Sequence, residues 1–157
     1  MKRMMDDYHD RFYSKLAQRS RKIQGSGFST AKELTSWKVN MMKNWNSIRA
    51  EEMDVFDTDN YALPMGEHFS ASIKLRLGNI APENVGLELV FFKRMNEEEL
   101  HLQFAKELEF KGETSGIAHY HCDVAPEIAG VFEYGFRIFP KHELLPHRQD
   151  FNLVKWL

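Results

Sequence analysis

Residues 130–140 read GVFEYGFRIFP, and their period decides the class of fold. Phe132, Tyr134, Phe136 and Ile138 recur at every second position with Glu133, Gly135 and Arg137 between them, the pattern of a strand with one face in a core and one in water. Such a strand is not stable alone. It needs partner strands on both edges and a second apolar layer over its aromatic face, so the remaining chain is expected to supply them. Gly130 offers a turn before the run, and Pro140, which has no backbone N–H, stops the ladder after it.

Working outward, residues 119–124 alternate again, with Tyr120, Cys122 and Val124 on one face and His119, His121 and Asp123 on the other. Residues 100–110 fit either period, since Leu100, Phe104 and Leu108 suit a helix and Leu100, Leu102 and Phe104 suit a strand; the alternating run that follows favours the strand. In residues 85–93, Leu87, Leu89 and Phe91 point one way while Val90 and Phe92 are apolar on the other, which predicts cover on both sides, with the N-terminal helices as the cover. Phe69, Ala71, Ile73, Leu75 and Leu77 form a clean alternating strand that ends at Gly78, and Met53 and Val55 mark an earlier one. With residues 151–156 this makes about seven short strands, the pattern of an immunoglobulin-like antiparallel β-sandwich.

The first 48 residues have a different period. Met1, Met5, Tyr8, Phe12 and Leu16 form an apolar stripe at helical spacing, predicting a helix to about Lys22. Gly25, Ser26 and Gly27 predict a flexible connection, and Thr30 with Glu33 reads as a capping box opening a second helix through Leu34, Trp37, Met41 and Trp45. The expected division is a helical segment, 1–48, and a β-sandwich, 49–157. Trp37 and Trp45 are expected to anchor the core near Val90 and Phe92.

Charge follows the same division: residues 1–50 carry eleven Lys and Arg against four Asp and Glu, and residues 51–157 carry ten against nineteen. The basic residues are dispersed among acidic and aromatic ones, so they are read as a solvated or docking face rather than a nucleic-acid site. Neither a membrane span nor a signal-peptide core is evident, and the single cysteine, Cys122, fits a buried thiol in a reducing compartment, so a cytoplasmic location is expected.

Catalytic motifs are not evident. His119 and His121, with Asp123 or the distant His142 and His147, have the one spacing suggestive of a metal site, but two histidines on a wet strand face read as solvated and no metal is expected. Gly25 and Gly27 lack the context of a phosphate loop, Ser29 is not in a nucleophile elbow, and Glu97, Glu98 and Glu99 read as a solvated loop.

Four stretches, RMMDDYHDRFYSKLAQRS, AKELTSWKVNMMKNWNSI, LRLGNIAPENVGLELV and FEYGFRIFPKHELLPHRQDFNLVKW, resemble in order and spacing the extreme C-terminal part of the bacterial α-glucan phosphorylases, relatives of glycogen phosphorylase. The resemblance implies an enzyme that transfers glucosyl units of an α-1,4-glucan to phosphate, giving glucose 1-phosphate, with pyridoxal phosphate on a lysine. It places the cofactor lysine and catalytic groups in a preceding catalytic body, so no catalytic or cofactor-binding residue and no cofactor are expected in this chain. The sandwich is then an accessory domain whose partner is the catalytic body of the same polypeptide. An independent carbohydrate-binding or protein-interaction module is the alternative. Most aromatics sit at inward positions, leaving Tyr61 and Phe92 as the candidates for glucan contact. Freed of the catalytic body, the first helix is expected to drive a homodimer of the fragment.

Overall fold

The computed structural model describes residues 13–56, 68–96, 99–125, 132–145 and 147–157. Tyr61, most of the first apolar stripe and the turn between the first two strands lie outside them. The chain divides into two compact units, residues 1–41 and 42–157.

A helical preface is present. Helix α1, Ser14–Asn44, is one hydrogen-bonded element in which Gly27 and Phe28 both take φ near 63°. The flexible connection expected at Gly25–Gly27 is therefore confined to a two-residue dislocation, which glycine enters without steric cost, and Thr30 lies inside the helix. Leu16, Phe28 and Val39 are each more than half exposed along it. Among the described residues no helix is long and apolar enough to cross a membrane.

Among the described residues the second unit contains eight strands: β1 Arg49–Phe56, β2 Phe69–Arg76, β3 Val85–Arg94, β4 Leu100–Glu107, β5 Glu109–Thr114, β6 Ile117–Val124, β7 Glu133–Pro140 and β8 Lys155–Trp156. They form two antiparallel sheets, ordered β1-β2-β6-β5 and β4-β3-β7-β8. This is the immunoglobulin-like arrangement, with an extra edge strand beside the third strand. The decisive stretch, β7, has partners on both edges as expected, with Phe136 opposite Leu89 and Ile138 opposite Leu87 in β3. Its period needs one correction. The face carrying Gly135 and Arg137 is covered, while Tyr134, on the core-facing phase, is partly exposed near the end of the strand.

Eight strands replace about seven because residues 100–110 divide at Leu108. The chain leaves one sheet after Glu107 and enters the other at Glu109, and the buried Leu108 pins the corner by donating its N–H to the Leu87 carbonyl at 2.8 Å. At the C-terminus, the strand expected over residues 151–156 contracts to the two residues of β8, paired with Arg137 and Ile138.

Side chains from the inner faces meet in one core. Phe69 of β2 lies edge-on to Phe91 of β3 and Tyr134 of β7, with ring centroids 5.5 and 5.2 Å apart. Ile73, Leu75, Leu87, Leu89, Phe136 and Ile138 are fully buried around them. Trp45 is buried, consistent with a core role, whereas Trp37 is only half-buried. Each large aromatic removed from water in this way contributes about 2–3 kcal/mol of transfer free energy.

Strand β3 is buried on both faces from Val85 to Phe91, as its sequence implies. On its outer face, cover comes from the sandwich itself. Trp156 lies across Gly135, where an added methyl would be 3.6 Å from the indole, and its ring centroid is 6.0 Å from that of Phe92. The far end of the Phe139 ring lies against Gly86, the neighbour that pairs with it.

Candidate functional site

At one end of the sandwich, three segments come together. The turn Pro82–Asn84 leads into β3, Lys141 follows β7, and Glu107 stands at the corner between β4 and β5. Lys141 N donates to the Asn84 carbonyl at 2.8 Å, and Lys141 Nζ donates to Glu107 Oε1 at 2.6 Å. These bonds fix the mouth of a cleft with two lobes that share Glu83, Glu107 and Lys141.

The outer lobe, about 390 Å³, is lined by Phe139, His142, His147 and Arg148 among others. Its lining residues Arg148, Glu107 and Lys141 belong to an ionic chain. Glu88 is 2% exposed and would be costly to bury unpaired, but Arg137 and Arg148 both donate to its carboxylate. Arg148 approaches Glu107 at 3.9 Å and stacks its guanidinium 3.8 Å from the Phe139 ring centroid. Charges thus alternate from Arg137 through Glu88, Arg148 and Glu107 to Lys141. Strand pairing creates this order, because Glu88 faces Arg137 on β7 and Glu107 on β4.

The inner lobe, about 170 Å³, enters between the sheets beside Val85, Leu108, Phe110 and Tyr120. Phe110 is about half exposed and its ring centroid is 5.6 Å from that of Tyr120. Tyr120 is 3% exposed, and among the described residues its hydroxyl has no hydrogen-bond partner. Burial, and then the nearby carboxylates of Glu113, Glu107 and Glu83, push its pKa well above the ordinary phenol value.

The histidines singled out in the sequence are separated. His119 and His121 lie on the outer face of the β1-β2-β6-β5 sheet, where His121 Nδ1 is 3.0 Å from Ser72 Oγ. Asp123 pairs instead with His68, at 2.5 Å. His142 and His147 line the outer lobe, and His142 Nδ1 accepts from Leu144 N at 3.1 Å. Among the described residues, no three His, Cys, Asp or Glu side chains are placed to hold a metal. Phe92 is half-buried against Trp156, and Tyr61 lies outside the described residues. Glu99 pairs with His101, which lowers the Glu99 pKa.

Sequence reasoning missed Glu88, Arg137, Arg148 and Tyr120. Glu88 did carry a signal: it is the lone charge in VGLELVFF, a strand apolar on both faces, and a buried carboxylate needs a cationic partner. The cleft presents carboxylate oxygens and aromatic faces. Its cations are already engaged with carboxylates.

The fold defines a β-sandwich of immunoglobulin type. The family described as glycogen phosphorylase C-terminal domain matches residues 45–157, and the chain belongs to that family. It is also similar to the maltodextrin phosphorylase of Thermococcus litoralis, at 23% identity over 158 residues, which is 98% of this chain and 18% of that relative. The glycogen phosphorylases of Mycobacterium bovis and Mycobacterium tuberculosis are each 25% identical over 157 residues, 97% of this chain and 18% of theirs. The chain spans under one fifth of the length of these curated relatives.

Proposed function

We propose that this chain is the non-catalytic C-terminal region of an α-glucan phosphorylase that transfers glucosyl units of α-1,4-glucan to phosphate. The carrying observation is the family match over residues 45–157 together with the C-terminal position implied by the resemblance. In this reading residues 1–48 are the tail of a catalytic body, the natural partner of the sandwich, and residues 49–157 are the accessory domain of a cytoplasmic enzyme.

Pyridoxal phosphate is the cofactor of the full-length enzyme on this reading, but the cleft does not fit it. Its phosphate would face Glu83 and Glu107, Lys141 is paired with Glu107, and Arg148 is engaged by Glu88. Lys155, whose pKa burial lowers, donates to the Ile48 carbonyl at 2.6 Å. On this reading the cofactor lysine lies in the catalytic body. The helix stripe, of which Leu16 is exposed, makes the isolated chain a homodimer.

Glucose 1-phosphate release from maltodextrin and phosphate tests the central reading. Turnover is expected from the product of the complete open reading frame and not from these 157 residues alone. Turnover, or a stoichiometric pyridoxal absorbance, in the 157-residue chain overturns it. Sedimentation equilibrium tests the dimer: a monomeric chain, or an equally stable dimer from a version starting at Ser29, sinks it.

A further inference from the structure

We propose that the outer face of the β4-β3-β7-β8 sheet, centred on Leu102, Phe92 and Trp156, is the surface on which the sandwich docks against an apolar face of the catalytic body. The identity of the partner rests on the phosphorylase reading; the surface itself rests on strand pairing and exposure. Pairing puts Leu102 opposite Phe92 and Leu100 opposite Arg94, so both leucines of β4 stand on the outer face with Phe92. Trp156 of β8 pairs with Arg137 on the same face, and its ring centroid is 6.0 Å from that of Phe92. An apolar band therefore crosses the sheet from edge to edge. Leu100, Leu102 and Trp156 are 44, 56 and 50% exposed. The outer face of the other sheet carries Glu52, Lys74, Ser72 and His121 instead, so the fold does not by itself require such a band. The indole is also fixed in advance. Arg137, tied to the buried Glu88, lies 5.4 Å from the centre of the Trp156 ring, and Leu157 N donates to the Phe136 carbonyl at 3.0 Å. A rigid tryptophan beside an arginine has the composition of an interface anchor. At one border Arg94 donates to both carboxylate oxygens of Glu133, so that border carries no net charge against a partner.

The size of the band selects its occupant. Two half-exposed leucines and a half-exposed tryptophan amount to on the order of 300–400 Å², the scale at which a patch on a monomer is often functional. A stable complex of free partners buries about 800 Å² on each, so a second copy held by this band alone falls short. Interfaces between domains of one chain start near 600 Å² in total, or about 300 Å² on each side, because the tether keeps the two surfaces at high local concentration. More than four fifths of each curated relative lies outside the part that this chain matches. A polypeptide of that kind holds a large tethered body to supply the other side.

Hydroxyl-radical footprinting of Trp156, in the product of the complete open reading frame and in the 157-residue chain, tests the surface. The indole is half exposed in this chain, and sealing an anchor to under about a tenth of its surface lowers its oxidation about fivefold. That protection is expected in the complete polypeptide only. There, Leu102→Glu and, separately, Leu100→Glu are expected to restore the rate of the 157-residue chain, because docking would bury an unpaired carboxylate. Both positions are exposed, so in the 157-residue chain each variant is expected to keep the wild-type melt. Glu52→Ala, on the opposite outer face, is expected to keep the protection. Equal oxidation of Trp156 in the two polypeptides, or protection that survives both glutamates, overturns the surface. So does a lowered melt for both variants in the 157-residue chain, which would mean that the leucines are packed rather than presented. Protection that appears in that chain as its concentration rises makes a second copy the occupant and overturns the assignment to the catalytic body. Phosphorolysis is read separately: turnover with an open Trp156 sinks this surface and spares the phosphorylase reading, whereas protection without turnover keeps the docking face and sinks that reading.

Discussion

The two sheets of the sandwich have the same strand count and share one core, but their outer faces differ in kind. On the β1-β2-β6-β5 sheet, the outer face is a solvated ladder: Lys74 pairs with Glu52 at 2.6 Å, Arg76 with Glu51 at 2.5 Å, and Ser72 meets His121. On the β4-β3-β7-β8 sheet the outer face is closed, with Glu88 buried beneath two arginines, Phe139 on Gly86 and Trp156 across Gly135. The first face could lose any one pair with little effect, because exposed ion pairs compete with water. The second could not lose Glu88, because that carboxylate is held where water is excluded. Among the described residues, the buried charge is therefore on one sheet.

The largest test of that contrast removes one carboxylate from each face. Glu88→Ala leaves Arg137 without its buried partner and is expected to destabilise by about 3–5 kcal/mol. Glu52→Ala is expected to leave the urea midpoint unchanged; equal midpoints for the two variants would erase the distinction.

Next comes the core beneath both faces. Burial raises the Cys122 thiol from 9.0 to about 11. Below pH 9 the thiol is protonated both folded and unfolded, so it contributes no pH slope. Between pH 9 and about 11 the unfolded chain ionises first, and stability falls with rising pH, by at most about 3 kcal/mol. Denaturant titrations of wild type and Cys122→Ala across this range should differ in slope, and the native thiol should resist alkylation at neutral pH. Identical slopes would place the sulfur in water.

A third comparison stays within the closed face. A methyl at Gly86 would overlap the Phe139 ring, so Gly86→Ala should cost about 1–3 kcal/mol, while Gly135→Ala, 3.6 Å from Trp156, should be nearly neutral. Reversed costs in thermal melts would mean that Phe139 does not lie on Gly86. The smallest effect is a gain: Tyr120→Phe removes an unpartnered buried hydroxyl and should raise stability by about 1 kcal/mol. A loss instead would show that the hydroxyl already has a partner in the unliganded protein.

The solvated sheet was the more legible of the two. Alternation in β2 and β6 marks a strand with one wet face, and both strands lie where the pattern puts them. The closed sheet obeyed the same period but hid its partners. Glu133, Gly135 and Arg137 read as a wet face because nothing local reveals that Trp156, 21 positions beyond Gly135, lies across it. Glu88 likewise meets Arg148 across 60 residues. The division at Leu108 was invisible for a related reason: a strand that changes sheets keeps its apolar spacing, and only the tertiary pairing tells where it crosses. No local pattern could have located the cleft, since its three segments meet only after both sheets have formed. Phe92, chosen for being apolar on an outer face, proved to be an aromatic half-covered by Trp156.

The corner at Leu108 also constrains how the molecule comes apart. Strands on its two sides belong to different sheets, so no single cut of the hydrogen-bond ladders separates the sandwich into two pieces that are each continuous in sequence. β2 must find β6 and β3 must find β7 across some fifty residues of chain, which makes the assembly one of high contact order and places its folding in the slower milliseconds-to-seconds range. Neither sheet can serve as a finished template for the other. The domain should therefore unfold as one cooperative unit, and amide exchange in β2 and β3 should report the same global opening free energy.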